Sequence, residues 1–170
     1  MKLIKNMIRT EVIYDDGLNN KFLIKKEWNQ YEKKALVIMK KAGKANEILL
    51  DQTTMYVMNN LFKLGYGSVN IVNLFPTIKG KETKESITTN MKCIQEAVQS
   101  SDDVIIAIGK GAEINKRAMK RLDMILALLL DKKANILEIE SNSGKKGFHP
   151  LYPALRNQWK LVLYSRKKGK

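Results

Sequence analysis

Short, unbroken apolar runs alternate along this chain with longer stretches whose apolar positions recur every three or four residues. Ala35-Leu36-Val37-Ile38-Met39 is the first such run, and Val69-Asn70-Ile71-Val72, Val104-Ile105-Ile106-Ala107-Ile108 and Asn135-Ile136-Leu137-Glu138-Ile139 follow in the same style. A short run with little polar alternation marks a strand covered on both faces. Between the runs, Met55, Met58, Leu61 and Phe62 share one helical face, which Gly65 and Gly67 end. Ile87, Met91, Ile94 and Val98 form a second face, and Ile114, Ala118, Leu122, Ile125, Leu126 and Leu129 a third. Strands alternating with helices predict right-handed crossovers and a parallel sheet. The expected fold is therefore α/β: a three-layer α/β/α domain with a mainly parallel four-stranded central sheet. Its strands lie near Leu36, Val69, Val104 and Ile136.

Ahead of this core, Thr10 to Tyr14 and Lys21 to Lys25 flank the polar stretch Asp15-Asp16-Gly17-Leu18-Asn19-Asn20. That pattern predicts an N-terminal β-hairpin packed beside the sheet as an edge or a cover. No Pro/Gly/Ser-rich linker divides the chain, so residues 1–170 are expected to form a single domain, with the hairpin in 1–30, the core in 31–165 and a basic tail in 166–170.

Composition narrows the partners. Lys and Arg number 31 against 17 Asp and Glu, a formal charge of +14. Such an excess points to a polyanion, nucleic acid before an anionic membrane surface. The lone cysteine, Cys93, excludes an internal disulfide framework and fits a reducing compartment, where it serves as a small buried hydrophobe. The opening residues lack the apolar run of a signal peptide, and the longest apolar run, Met124 to Leu130, is too short to span a membrane. A cytoplasmic protein is expected. No His/Cys/Asp/Glu cluster has metal-ligand spacing, no cofactor motif is present, and Gly-x-Ser-x-Gly is absent.

The placement of charge locates the expected site. Ligands of open parallel sheets bind outside the carboxyl ends of the strands. Loops leaving the strands carry Lys40, Lys41, Lys44, Lys79, Lys81, Lys110, Lys145 and Lys146, opposed only by Glu82. Loops entering them are nearly balanced: Lys33, Lys34, Lys63, Lys132 and Lys133 face Glu32, Asp102, Asp103 and Asp131. Phosphate is thus the expected ligand chemistry. Ile108-Gly109-Lys110-Gly111-Ala112 takes a strand into a helix, where glycines let the backbone approach an anion or simply make a tight turn. Met39-Lys40-Lys41-Ala42-Gly43-Lys44 looks similar but lacks the first glycine and the Ser/Thr of a Walker A loop. Near the C-terminus, Gly147-Phe148-His149-Pro150-Leu151-Tyr152-Pro153 carries the only histidine, on a loop behind a strand where an imidazole could donate to a developing anion.

Several of these segments, in order, resemble the bacterial, phage and mobile-element family called domain of unknown function 1643. The resemblance runs from about Phe22 to Pro153. It is carried by Phe22-Leu23 with Trp28, Leu36 to Met39, Asp51-Gln52-Thr53-Thr54, Gly65 through Pro76, Ile105 to Gly109, and His149-Pro150-Leu151-Tyr152. More remotely, the same order is similar to the uracil-DNA glycosylase superfamily. That resemblance implies a glycosylase-like scaffold, with Asn73 as the residue reading a flipped base and His149 as the electrophile stabilising the departing base anion. The family's usual Asn-Pro-Ser after the first core strand reads Lys41-Ala42-Gly43 here. A water-orienting acceptor has become a cation, which binds phosphate but is a poor general base. Asp51 is the nearest carboxylate, either a base or the N-cap of the helix that follows.

Three functions compete on this sequence. The first is nucleic-acid binding, DNA before RNA, on a glycosylase-like scaffold whose catalytic loop is degenerate, with Lys40, Lys41, Lys44, Lys79, Lys81, Gly109, Lys110, Lys145 and Lys146 meeting phosphates. The second is an enzyme acting on a nucleotide or a flipped or damaged base, with His149, Asn73 and Asp51 as its catalytic candidates. The third is a protein-interaction module that presents its basic face to an acidic partner.

Overall fold

The computed structural model describes residues 1–130 and 134–165; Asp131, Lys132, Lys133 and the basic tail 166–170 lie outside the described residues. The elements run β1 (Arg9–Tyr14), β2 (Lys21–Glu27), β3 (Lys33–Lys41), α1 (Gln52–Lys63), β4 (Tyr66–Phe75), α2 (Lys84–Gln99), β5 (Asp103–Ile106), α3 (Lys110–Glu113), α4 (Lys116–Leu129), β6 (Asn135–Glu140) and β7 (Lys160–Leu163), with a 3₁₀ turn at Pro153–Leu155. All the strands join one sheet in the order β1-β2-β4-β3-β5-β6-β7. β4, β3, β5 and β6 pair in parallel, while β1, β2 and β7 are antiparallel to their neighbours.

The sheet is thus seven-stranded, wider than the four strands expected from the sequence. The hairpin is part of it, because β2 pairs with β4 (Ile24 opposite Ile71). β7 is a short edge strand whose run, Leu161-Val162-Leu163, is half-buried or exposed.

The apolar runs are unbroken because alternate residues of a strand point to opposite faces and both faces are covered. Leu36, Ile38, Val72, Leu74, Val104 and Ile106 pack against Ile94 and Val98 of α2 and Leu122 and Ile125 of α4. Val37, Met39, Val69, Ile71 and Ile105 pack on the other face against Val57 and Leu61 of α1, joined by Phe148, Leu155 and Trp159. Each fully buried aliphatic side chain contributes roughly 1.5–3 kcal/mol.

Two helical faces differ from the expectation. In α1 the buried residues are Thr54, Val57, Asn60 and Leu61, and Met55 and Phe62 are exposed. The helix is turned because Asn60 faces inward, its Nδ2 donating to the carbonyls of Tyr56 and Arg156 at 2.8 Å each. The third helix starts at Lys116 instead of including Ile114, which is exposed. Asn115 caps it by accepting from the Ala118 amide at 2.9 Å, and the short α3 precedes it.

At the amino ends of the parallel strands, one carboxylate gathers the first residue of each. Asp103 opens β5 and accepts from the Tyr66 hydroxyl at 2.8 Å and from Asn135 Nδ2 at 2.7 Å, with Lys33 Nζ 3.6 Å away. Burial beside that carboxylate pushes the Tyr66 hydroxyl pKa well up. At the opposite ends, β3 leads through α1 to β4 on one side, while β5 lies on its other side. The connections diverge there, and such a divergence leaves a crevice between the carboxyl ends of the two strands.

Candidate functional site

A cleft of about 480 Å³ opens at this crevice. The end of β3 supplies Lys40 and Lys41, the segment after β5 supplies Ile108 to Ala112, and the loop after β6 supplies Phe148, His149 and Tyr152. Its floor is apolar and its rim cationic, with no carboxylate among the lining residues. Among the described residues, Lys40, Lys41 and Lys110 form no ion pair.

Local chemistry fixes the loop that carries the histidine. A turn at Ser141–Lys145 is closed by the Ser141 amide donating to Lys145 O at 2.8 Å and the Gly144 amide to Ser141 O at 2.9 Å. Gly147 passes Glu113 at φ +80°, a backbone conformation that glycine adopts without strain. A second turn follows, in which His149 O accepts from the Tyr152 amide at 2.9 Å and His149 Nδ1 from the Leu151 amide at 3.2 Å. With Nδ1 accepting, the neutral ring carries its proton on Nε2 and keeps one N–H to donate. Burial pushes the His149 pKa below its ordinary value, and the charge of Asp51 opposes that shift. Neutrality therefore comes from desolvation.

Beside the histidine, the buried Phe148 ring lies 4.3 Å from that of Tyr152, centroid to centroid, at 31°. Lys110 Nζ sits 4.6 Å from the Phe148 centroid. A second cleft of about 550 Å³ shares Lys41 with the first and continues past Phe75, Lys81, Glu82 and Arg117. Glu82 is answered twice, by Arg117 and by Arg121 Nη1 at 2.6 Å. The same Arg121 nitrogen donates to Leu74 O at 2.6 Å. Both guanidinium groups stand over the Phe75 ring, at 5.1 and 4.9 Å. Arg117 and Phe75 were not anticipated, and the four-residue spacing of Arg117 and Arg121 on one helix face was the signal available.

The expected site residues separate into groups. Lys40, Lys41, Gly109, Lys110 and His149 come together in the first cleft, and Lys81 lies in the second. Lys44, Lys79 and Lys145 are exposed outside both linings, and Lys146 stands 3.9 Å from Glu138. Asp51 caps α1, its Oδ1 accepting from the Thr54 amide at 2.8 Å and its Oδ2 from the Ala45 amide at 3.3 Å. Asn73 is buried in the sheet opposite Met39, outside the cleft lining. Its carbonyl accepts from Asn90 Nδ2 at 2.9 Å, and its Oδ1 has no hydrogen-bond partner among the described residues.

Two buried lysines, which no sequence signal separates from exposed strand lysines, hold the loop between β3 and α1. Lys21 Nζ donates to Gly43 O at 2.7 Å and to Ala45 O, and Lys26 Nζ donates to Glu47 O at 3.1 Å. Burial pushes both ammonium pKa values down, while Asp51 opposes the shift at Lys21 and Glu47 opposes it at Lys26. Among the described residues no group of three or more His, Cys, Asp or Glu is placed to hold a metal ion, and no helix is long and apolar enough to cross a membrane.

A family model described as a protein of unknown function (DUF1643) matches residues 21–151. No curated protein and no solved structure matches the chain.

Proposed function

We propose that this chain, which belongs to the DUF1643 family, binds nucleic acid across the cleft at the carboxyl edge of its sheet. One observation carries the reading: Lys40 and Lys41 at the end of β3 and Lys110, some seventy residues on, line one cleft beside His149 with no carboxylate in the lining. Unpaired cations around a concave, apolar-floored site suit a polyanion that carries planar groups. Helices on both faces of the sheet support a three-layer α/β/α scaffold of the glycosylase kind. The preference for DNA, and a role in a phage or mobile element, follow from the family resemblances. Glycosylase chemistry has lost its water-orienting acceptor, because Lys41-Ala42-Gly43 stands after the first core strand and Asp51 is engaged in capping. Binding measured by fluorescence anisotropy over a salt series tests this. Affinity should fall by orders of magnitude between low and physiological salt. Affinity that is absent or independent of salt removes the reading.

One observation favours a second reading, an enzyme on a nucleotide or flipped base. His149 lines the cleft with Nδ1 engaged, which leaves Nε2–H as its donor. Product release from uracil-containing and other modified DNA tests it, and a protein that binds but releases nothing rejects it.

A further inference from the structure

Two exposed planar side chains, each backed by an aromatic ring, stand in the two clefts that Lys41 joins. In the first, Tyr152 is 44% exposed and lies against Phe148, itself only 4% exposed. In the second, the side chain of Arg117 is 64% exposed and lies over Phe75. Both are held in place before any ligand arrives. The Tyr152 amide is tied to His149 O, and the Arg117 guanidinium to Glu82, which Arg121 grips in turn. Side chains already ordered lose little freedom on binding.

We propose that the two clefts form one trough for single-stranded nucleic acid, in which Tyr152 and Arg117 each stack an unpaired base and Lys41 holds the phosphate between them. This rests on the nucleic-acid reading above and adds strand preference and register to it. A base inside a duplex has both faces covered by its neighbours, so a planar platform gains nothing from it; an unpaired base offers its face to an aromatic ring or a guanidinium plane. Each cleft, at about 480 and 550 Å³, lies in the range of pockets that enclose small ligands. The apolar floor at Ile108 and Ala112 supplies no side-chain donors to base edges, so stacking tolerant of sequence fits it better than edge readout.

The test uses the full chain and a labelled twelve-nucleotide mixed-sequence DNA strand, free and annealed to its complement, at one salt concentration. The single strand should bind at least tenfold more tightly than the duplex. Tyr152→Ala and Arg117→Lys should each weaken single-strand binding between about 5- and 150-fold, the range of one lost stacking contact. Their salt slopes should match the wild type, because Tyr152 carries no charge and Lys keeps the charge of Arg117 while losing the plane. Tyr152→Phe, which keeps the ring, should bind as the wild type does. Equal or tighter duplex binding, variants that bind like the wild type, or a mononucleotide that binds as tightly as the strand would each overturn the trough. A protein that binds no nucleic acid of either form overturns the broader reading instead.

Discussion

Gly109 faces His149 at close range: a Cβ on Gly109 would lie 3.0 Å from the His149 Cβ and 3.6 Å from its backbone nitrogen. The loop after β6 therefore packs closely on the segment after β5, and a side chain at position 109 would push it by a few tenths of an ångström. Gly109 also holds φ 79° and ψ 152°, a conformation open to glycine and little else. Gly109→Ala should cost about 1–3 kcal/mol from that backbone strain and displace His149 as well. Thermal unfolding and ligand binding should worsen together; an Ala variant as stable and as competent as the wild type would show that the loop yields freely.

Replacing Lys40, Lys41 and Lys110 together by Ala should flatten the slope of log affinity against log salt by about 2–3 units, since each phosphate contact contributes roughly 0.7–0.9. Stability should stay near that of the wild type, as these side chains are exposed or half-exposed and make no ion pair among the described residues. Lys44→Ala, outside both linings, should leave the slope unchanged. Anisotropy titrations at several salt concentrations separate the two variants.

The half-buried imidazole of His149 makes stability depend on pH in a definite direction. Its pKa in the folded protein lies below the ordinary 6.5 because burial disfavours the cation. Above 6.5 the ring is neutral folded and unfolded, and its contribution is fully present. As pH falls below that value the unfolded chain takes up the proton first, so stability is lost until the folded ring titrates too. His149→Gln should lack this component. Melting temperatures of the two proteins should run parallel above about pH 7.5 and diverge at lower pH, the wild type falling faster.

Asp51 separates capping from catalysis. Asp51→Ala should cost about 0.5–2 kcal/mol by uncapping α1, whereas Asn, also a good cap, should restore most of it. Turnover on any substrate that survived in Asp51→Asn would rule out Asp51 as a base; its loss with intact folding would restore that role.

Lys21 closes the same loop from the other side. Lys21→Met keeps the length but leaves the Gly43 and Ala45 carbonyls without their donor. An unsatisfied buried group costs about 1–3 kcal/mol. Chemical denaturation should report that loss, and a Met variant as stable as the wild type would show that the ammonium does not hold the loop.

The sequence made the parallel strands legible because burial on both faces writes itself as an unbroken apolar run, as at Leu36 and Val104. β7 escaped because its run, Leu161-Val162-Leu163, is short and belongs to an edge strand that is not covered on both faces. α1 presents the face one position before the apolar stripe because Thr54 and Asn60 are polar residues inside, and periodicity does not record the bonds that Asn60 Nδ2 gives to the Tyr56 and Arg156 carbonyls. At the site, Gly109, Lys110 and His149 could be found from the rule that ligands bind at carboxyl ends. Arg117 could not, since it enters the cleft from a helix that the rule does not mention. Nor could Lys21, whose burial depends on carbonyls more than twenty positions away.

The Asp103 cluster lies at the end of the sheet remote from the clefts, and it fastens the first residues of all four parallel strands to one carboxylate. Anchorage and recognition are thereby segregated. Substitutions that retune the ligand fall at the carboxyl ends of the strands and on the loops beyond them, while a change at Lys33, Tyr66, Asp103 or Asn135 would loosen the frame without touching the ligand. Such a chain can drift in what it recognises while its architecture stays put, and cleft segments from a relative should transplant onto this frame with the strand starts untouched.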